Sequence, residues 1–343
     1  MKNPGIKRKA WTIPDIPEMA HAILSGNIPF LSKAITLTES TRPDHRQYSE
    51  ELIQTLLPHT GNSIRIGITG VPGVGKSSFI EALGQNLIQA GHRLAVLAVD
   101  PSSPLSGGSI LGDKTRMEQL SRNPNAYIRP TAAGHTLGGV AARTRESVLL
   151  CEAAGFSIIC IETVGVGQSE VMVREMTDFF LLMMLPGAGD ELQGMKKGIV
   201  EMADLIVIHK ADGEMMTKAK RAQVDYLQAL HFNPPRADAW IPEVCLASSL
   251  SGEGIQSIWE TILRFQKHTI QNGIFNTRRK IQSGQWFHHS LELLLHNQLN
   301  HYLHTNANAQ AIQKKALAGE MNPLLAARTI FTEWVHFNQS QSS

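Results

Sequence analysis

Residues 70 to 78 read Gly-Val-Pro-Gly-Val-Gly-Lys-Ser-Ser: glycines followed by a cation and hydroxyls, the residue types that hold a phosphate and its counter-ion. The spacing is G-x-x-x-x-G-K-[ST], a phosphate-binding loop. Gly70, Val71, Pro72, Gly73, Val74 and Gly75 would wrap phosphate oxygens with backbone N–H groups, because glycine carries no Cβ to block the approach. Lys76 is expected to reach the β- and γ-phosphates, Ser77 to ligate Mg²⁺, and Ser78 to complete the loop. An alternating apolar run, Ile64 to Ile68, precedes the loop, and a helical pattern starts near Lys76. The anion would therefore also meet a helix N-terminus.

Other residues fit the same chemistry. Glu162 ends an apolar run and Gly165 follows three residues later, a Walker B and switch arrangement. Its carboxylate would hold the metal, directly or through water, and the Gly165 N–H would sense the γ-phosphate. Asp100 ends another apolar run, and a long glycine-rich loop leads on to Asp113. A loop of that length suits a lid, with Asp100 and Asp113 as candidates for metal or water positioning; a turn or cap role is the plainer alternative. His209-Lys210-Ala211-Asp212 stands where a guanine reader has Asn-Lys-x-Asp. Asp212 would accept from guanine N1–H and the 2-amino group, neither of which adenine offers. Lys210 would lie over the purine face. His209 departs from the pattern, although an imidazole N–H is able to donate to purine N7. Ser248, Ser249 and Leu250 resemble the loop whose backbone N–H meets guanine O6. Val166 stands where a water-orienting Gln is found in fast hydrolases, so slow hydrolysis, accelerated by a partner or a dimer contact, is expected.

These pieces sit in an alternation of strands and helices. Strands are expected at Ile64–Ile68, Leu94–Val99, Ser157–Ile161, Phe179–Leu185, Leu205–Ile208 and Val244–Ala247, with helices such as Lys76–Ala90 between most of them. Near-continuous apolar strands alternating with helices predict an α/β parallel sheet covered on both faces. Residues before about 60 and after about 267 show helical patterns only. Three segments follow: an N-terminal helical extension (1–60), a nucleotide domain (61–266) and a helical arm (267–343).

The chain has 343 residues, 42% hydrophobic and 18% charged, with a net charge of +2. That balance, without a block of Lys or Arg, argues against nucleic acid as a partner. The longest apolar stretch, Phe179 to Pro186, is strand-sized, so no membrane insertion is expected. The start, Met1-Lys2-Asn3-Pro4, lacks the apolar core of a secretory signal. Cys151, Cys160 and Cys245 form neither a disulfide framework nor a C-x-x-C site. A cytoplasmic setting fits.

The stretches Gly70–Ser78, Val99–Met117, Glu162–Glu170 and Gly187–Lys197 together resemble the MeaB/ArgK family of G proteins, the chaperones of methylmalonyl-CoA mutase long labelled LAO/AO transport system ATPase or kinase. The resemblance runs from about Thr41 to Thr332. It implies a SIMIBI-class P-loop NTPase with helical extensions at both ends and a homodimer built by the C-terminal arm. It also implies binding of GTP, GDP and Mg²⁺, and gating of adenosylcobalamin delivery to an acyl-CoA mutase, with protection and reactivation of that client. By position, Lys76 and Ser77 take phosphate and metal, Asp100, Asp113 and Glu162 surround the metal and water, and Asp212 reads guanine. Gly187 to Lys197 corresponds to a further switch facing the mutase. His209 departs from the Asn or Thr usual in the family. Two rivals share parts of this pattern: a metal-insertion GTPase of the urease or hydrogenase maturation type, and an ATPase or kinase linked to Lys, Arg or ornithine transport.

Overall fold

The computed structural model describes residues 13–99, 117–130, 137–163, 169–187, 197–232, 234 and 236–341. Asp100, Asp113, Gly165, Val166 and most of the 187–197 stretch lie outside them. The chain divides into two compact units, Met1–Gln282 and Ser283–Ser343.

The first unit opens with three helices: α1 (Ile16–Leu24), α2 (Ile28–Thr38) and α3 (Pro43–Leu56). Short polar side chains start the first two. Asp15 Oδ1 accepts the Glu18 N–H at 2.8 Å, and Asn27 Oδ1 accepts that of Phe30 at 3.3 Å, each ahead of a proline in the first turn. The alternating α/β body follows as β1 (Ile64–Gly70), α4 (Lys76–Gln89), β2 (Leu94–Val99), α5 (Glu118–Arg122), β3 (Ala126–Pro130), α6 (Leu137–Ala153), β4 (Ile158–Thr163), α7 (Ser169–Arg174), β5 (Phe179–Met184), α8 (Lys197–Met202), β6 (Leu205–His209), α9 (Met216–His231), β7 (Glu243–Ala247) and α10 (Ile255–Gln271). The strands form one seven-stranded sheet in the order β3-β2-β4-β1-β5-β6-β7, and every pairing is parallel.

Both faces of that sheet are buried, which is why its strands read as unbroken apolar runs. Ile66, Ile68, Val96, Cys160, Phe179 and Leu181 point into one core with Phe79, Leu83 and Leu87 of α4 and Ile258, Ile262 and Phe265 of α10. Their neighbours Ala95, Leu97, Ile159, Ile161, Phe180 and Leu182 point into the other, with α6 and the three N-terminal helices. Each fully buried Leu, Ile or Phe contributes roughly 1.5–3 kcal/mol before entropy is counted. β3 is the strand the sequence pattern did not predict. It lies at the sheet edge beside β2, where its terminal Pro130 is tolerated.

The helix α11 (Ile274–Thr305) begins in the first unit and ends in the second. The second unit also holds α12 (Ala307–Leu317) and α13 (Pro323–Gln341). Asn322 caps the last, with Oδ1 accepting from Leu324 N at 2.9 Å and Leu325 N at 3.2 Å. Tyr302, Ala309 and Ile330 form a small core in this unit. No helix among the described residues is long and apolar enough to cross a membrane.

Candidate functional site

The site residues converge at the carboxyl ends of the parallel strands, where open α/β sheets bind ligands. β1 turns into α4 through Gly70 to Gly75. Gly70 has φ +152°, and a Cβ there would lie 2.3 Å from the Met183 carbonyl oxygen of the adjacent strand. Gly75 has φ +95° and precedes α4 without a side-chain cap hydrogen bond, so no cap side chain occupies the first-turn N–H groups at the loop. Phe79, Ile80 and Leu83 anchor the inner face of α4 in the core.

Lys76 and Ser77 are both buried at this helix start. Lys76 Nζ donates to the Gly70 carbonyl at 2.8 Å and to that of Val71 at 3.4 Å, spanning the loop from below. Ser77 Oγ donates to Glu162 Oε1 at 3.1 Å. The register explains the meeting, because Glu162 pairs with Ile68 one strand over from the loop. The sequence pattern ended that strand at Ile161; it continues to Thr163, so Glu162 is a buried strand residue and not a solvated strand end. Thr163 Oγ1 lies 2.9 Å from Thr69 Oγ1, a buried hydroxyl pair that locks the ends of β1 and β4 together. Sequence reasoning passed over this pair, although a threonine directly after the acidic residue was the available signal.

The second half of the site lies at the ends of β6 and β7. Lys210 adopts the left-handed conformation, φ +60°, unusual for a residue with a Cβ. That turn sends its side chain across to the phosphate loop, where Nζ donates to the Gly73 carbonyl at 2.8 Å. Asp212 Oδ2 accepts the Ser248 hydroxyl, so one carboxylate oxygen is held by the neighbouring loop. Ser248 Oγ also accepts the N–H groups of Leu250 at 3.1 Å and Ser251 at 3.2 Å. The hydroxyl thus folds the whole 248–251 turn toward Asp212, and Leu250 points its side chain to solvent.

His209 stands differently from the sequence expectation. It is buried, with Nδ1 2.7 Å from the Val74 carbonyl and Nε2 2.7 Å from Ser249 Oγ. Both ring nitrogens are taken, so neither is free to donate to a purine N7. Burial lowers its pKa from the usual value; the Val74 carbonyl opposes that shift, Lys210 reinforces it, and Asp212 opposes it.

Cys160 lies wholly buried within β4, and burial, then the nearby Glu162, push its thiol up to about 12. It is a core residue, not a metal ligand.

A sheet whose central strand turns into its helix through Gly70 to Lys76 is the architecture of the P-loop NTPases. Within that class the chain belongs to the MeaB family of GTPases. The profile described as "Methylmalonyl Co-A mutase-associated GTPase MeaB" matches residues 31–304. The mouse mitochondrial methylmalonic aciduria type A homolog is 45% identical over 89% of this chain and 76% of its own length. The Escherichia coli GTPase ArgK is 43% identical over 95% and 97% respectively. A crystal structure described as an LAO/AO transport system kinase superposes with a TM-score of 0.73 at 34% identity, covering 95% of this chain and all 100% of that one.

Proposed function

We infer that the chain binds GTP with Mg²⁺, hydrolyses it slowly when alone, and uses that cycle to gate an adenosylcobalamin-dependent mutase of the methylmalonyl-CoA type. The observation that carries the nucleotide reading is the pairing of two half-sites at one end of the sheet: Lys76, Ser77 and Glu162 at the phosphate loop, and Asp212 fixed by Ser248 at the base loop. Lys210 joins the two halves through Gly73.

The residues present suit the metal. A buried hydroxyl and carboxylate 3.1 Å apart are a hard, oxygen-only donor set. Ser77 and Glu162 would hold the ion, with Asp100 and Asp113 as proposed additions. When bound, Mg²⁺ supplies positive charge to the β- and γ-phosphate oxygens. The protein does the rest. Lys76 exchanges its carbonyl partners for phosphate oxygens, first-turn N–H groups of α4 hold the anion, and Gly165 senses the γ-phosphate. Water attacks the γ-phosphorus and the bond to the β,γ-bridging oxygen breaks, giving GDP and phosphate. Asp212 accepts from guanine N1–H and the 2-amino group, and the Ser249 N–H serves O6. The client is proposed from the family's description, and dimerisation through residues 267–343 and a cytoplasmic location accompany it.

Calorimetry with GDP, a GTP analogue and an ATP analogue in the presence of Mg²⁺ tests the nucleotide reading. Guanine-selective binding is expected. Equal or tighter binding of the ATP analogue would remove Asp212 as base reader and favour the kinase reading. GTP turnover measured with and without an adenosylcobalamin-dependent mutase tests the client; no stimulation and no co-purification in any nucleotide state would overturn the chaperone role.

A further inference from the structure

The two half-sites are joined by one aromatic ring. His209 closes β6, and its imidazole lies between the phosphate loop and the base loop. A carbonyl oxygen only accepts, so the 2.7 Å contact to Val74 O fixes the proton on Nδ1. In that neutral tautomer Nε2 only accepts, so the Ser249 hydroxyl donates to it, also at 2.7 Å. The ring meets Phe79 edge to face, with centroids 6.2 Å apart and planes at 82°. Gly75 lies directly against it, and a Cβ there would come within 2.8 Å of Cε1 and 2.9 Å of Nδ1. Two hydrogen bonds, an aromatic contact and a glycine-only approach therefore hold a single orientation of the ring.

We propose that His209 is a positioning residue, a strut that sets Val74 and Gly75 of the phosphate loop against Ser249 of the base loop, so that base and phosphates are gripped as one unit. The proposal rests on the nucleotide site inferred above and assigns this residue a role other than base reading. The strut adds to the affinity of any nucleotide filling both halves, whereas the choice of guanine over adenine stays with Asp212. It acts through hydrogen bonds and not through bulk, so an isosteric apolar side chain cannot replace it.

The test is the affinity of GDP and of ADP, each with Mg²⁺, for the full-length protein and for His209→Leu, His209→Asn, Ser249→Ala and the His209→Leu/Ser249→Ala double variant. His209→Leu is expected to weaken GDP about 10-fold, the equivalent of about 1.4 kcal/mol, with the GDP-to-ADP ratio unchanged. His209→Asn keeps an N–H for Val74 and is expected to recover most of that loss. The double variant is expected to lose no more than His209→Leu alone, because the Ser249 hydroxyl acts through the ring. Ser249→Ala gives a milder loss and keeps the test open if His209→Leu fails to fold. An unchanged GDP affinity, a collapsed GDP-to-ADP ratio, additive losses, or a lack of recovery in His209→Asn would each overturn the strut. A wild-type preference for ADP would overturn only the guanine reading, since the strut is read from the loss in whichever diphosphate binds.

Discussion

Lys76 is buried and bonded to two carbonyls of its own loop, so its ammonium holds the loop's shape, and in the proposed complex it would offset phosphate charge. Lys76→Ala removes a charge-assisted contact aimed at the transferred group, and kcat for GTP is expected to fall by about 10²-fold or more. Unchanged turnover would place the chemistry elsewhere. The proposed base reader, Asp212, is testable in the opposite sense, by switching selectivity. Asp212→Asn offers an amide donor where the carboxylate accepted, so preference is expected to move from guanine toward xanthine nucleotides, read by competition calorimetry. His209 adds a pH effect. Its folded pKa lies below 6.5 because burial disfavours the cation, with Lys210 adding to that and Asp212 and the Val74 carbonyl opposing it. Between the folded and unfolded values the unfolded chain binds more protons, so stability rises with pH across that window. Wild type is expected to lose stability as pH falls below about 6.5, and His209→Asn to lose less, measured as urea midpoints at paired pH values. An identical pH slope in the variant would assign the effect to other groups. The sequence showed that a histidine stands at the base-reading position. It did not show which partner takes each nitrogen, because Val74 and Ser249 reach it only through the fold.

At the scale of elements, the buried strands were legible because a sheet covered on both faces leaves little room for polar residues. β3 was not legible. Ala126-Tyr127-Ile128-Arg129-Pro130 mixes polar and apolar residues, and an edge strand lacks the pattern of a central one. The ionic framework at the opposite end of the sheet was also hidden, since its members come from distant segments. Asp204, fully buried at the start of β6, takes Arg174 from the end of α7 at 2.9 Å, Arg236, and the Phe180 N–H at 2.8 Å. Asp238 pairs with Arg236 at 3.2 Å and Arg278 of α11 at 2.8 Å, and Arg279 reaches Asp178 at 2.6 Å. Gln282 Nε2 donates to the Thr177 carbonyl at 2.8 Å. The start of α11 is thereby fastened to the rest of its unit by ion pairs and a side-chain hydrogen bond. Asp204→Asn keeps the shape but leaves Arg174 and Arg236 without their shared counter-charge. A loss of about 3–5 kcal/mol is expected, as for other broken buried pairs, read by urea denaturation. A loss below about 1 kcal/mol would mean that the pair behaves as a solvated surface bridge.

For the whole molecule the question is what covers the C-terminal helices. Trp286, Leu291, Leu294, Leu295 and Leu299 recur at roughly helical spacing, which fits either a dimer seam or packing on the nucleotide domain. The structure divides that set. Leu299 packs beside Tyr302, Ala309 and Ile330, while Leu291, Leu294 and Leu295 remain exposed, Leu294 at 56%. Phe287 is 64% exposed, and Leu324 and Phe331 add further apolar surface. This small core leaves several of the arm's large apolar side chains exposed, and exposed apolar surface is where association sites are found. Fully burying an exposed side chain of this kind is worth roughly 1.5–3 kcal/mol, so a second copy of the arm that covered several of these half-exposed ones would gain part of that from each. Leu291 and Leu295 are four residues apart and share one helix face. Leu291→Glu combined with Leu295→Glu is therefore expected to give a monomer by sedimentation equilibrium at protein concentrations where the wild type is expected to dimerise. GDP affinity should change by less than about 2-fold, because no residue of the nucleotide site lies in this segment. A wild-type monomer would remove the seam altogether. A dimer that survives both charges would move it to another face. A parallel loss of GDP affinity would show that nucleotide binding depends on this face, which the position of the nucleotide residues along the sequence gives no reason to expect.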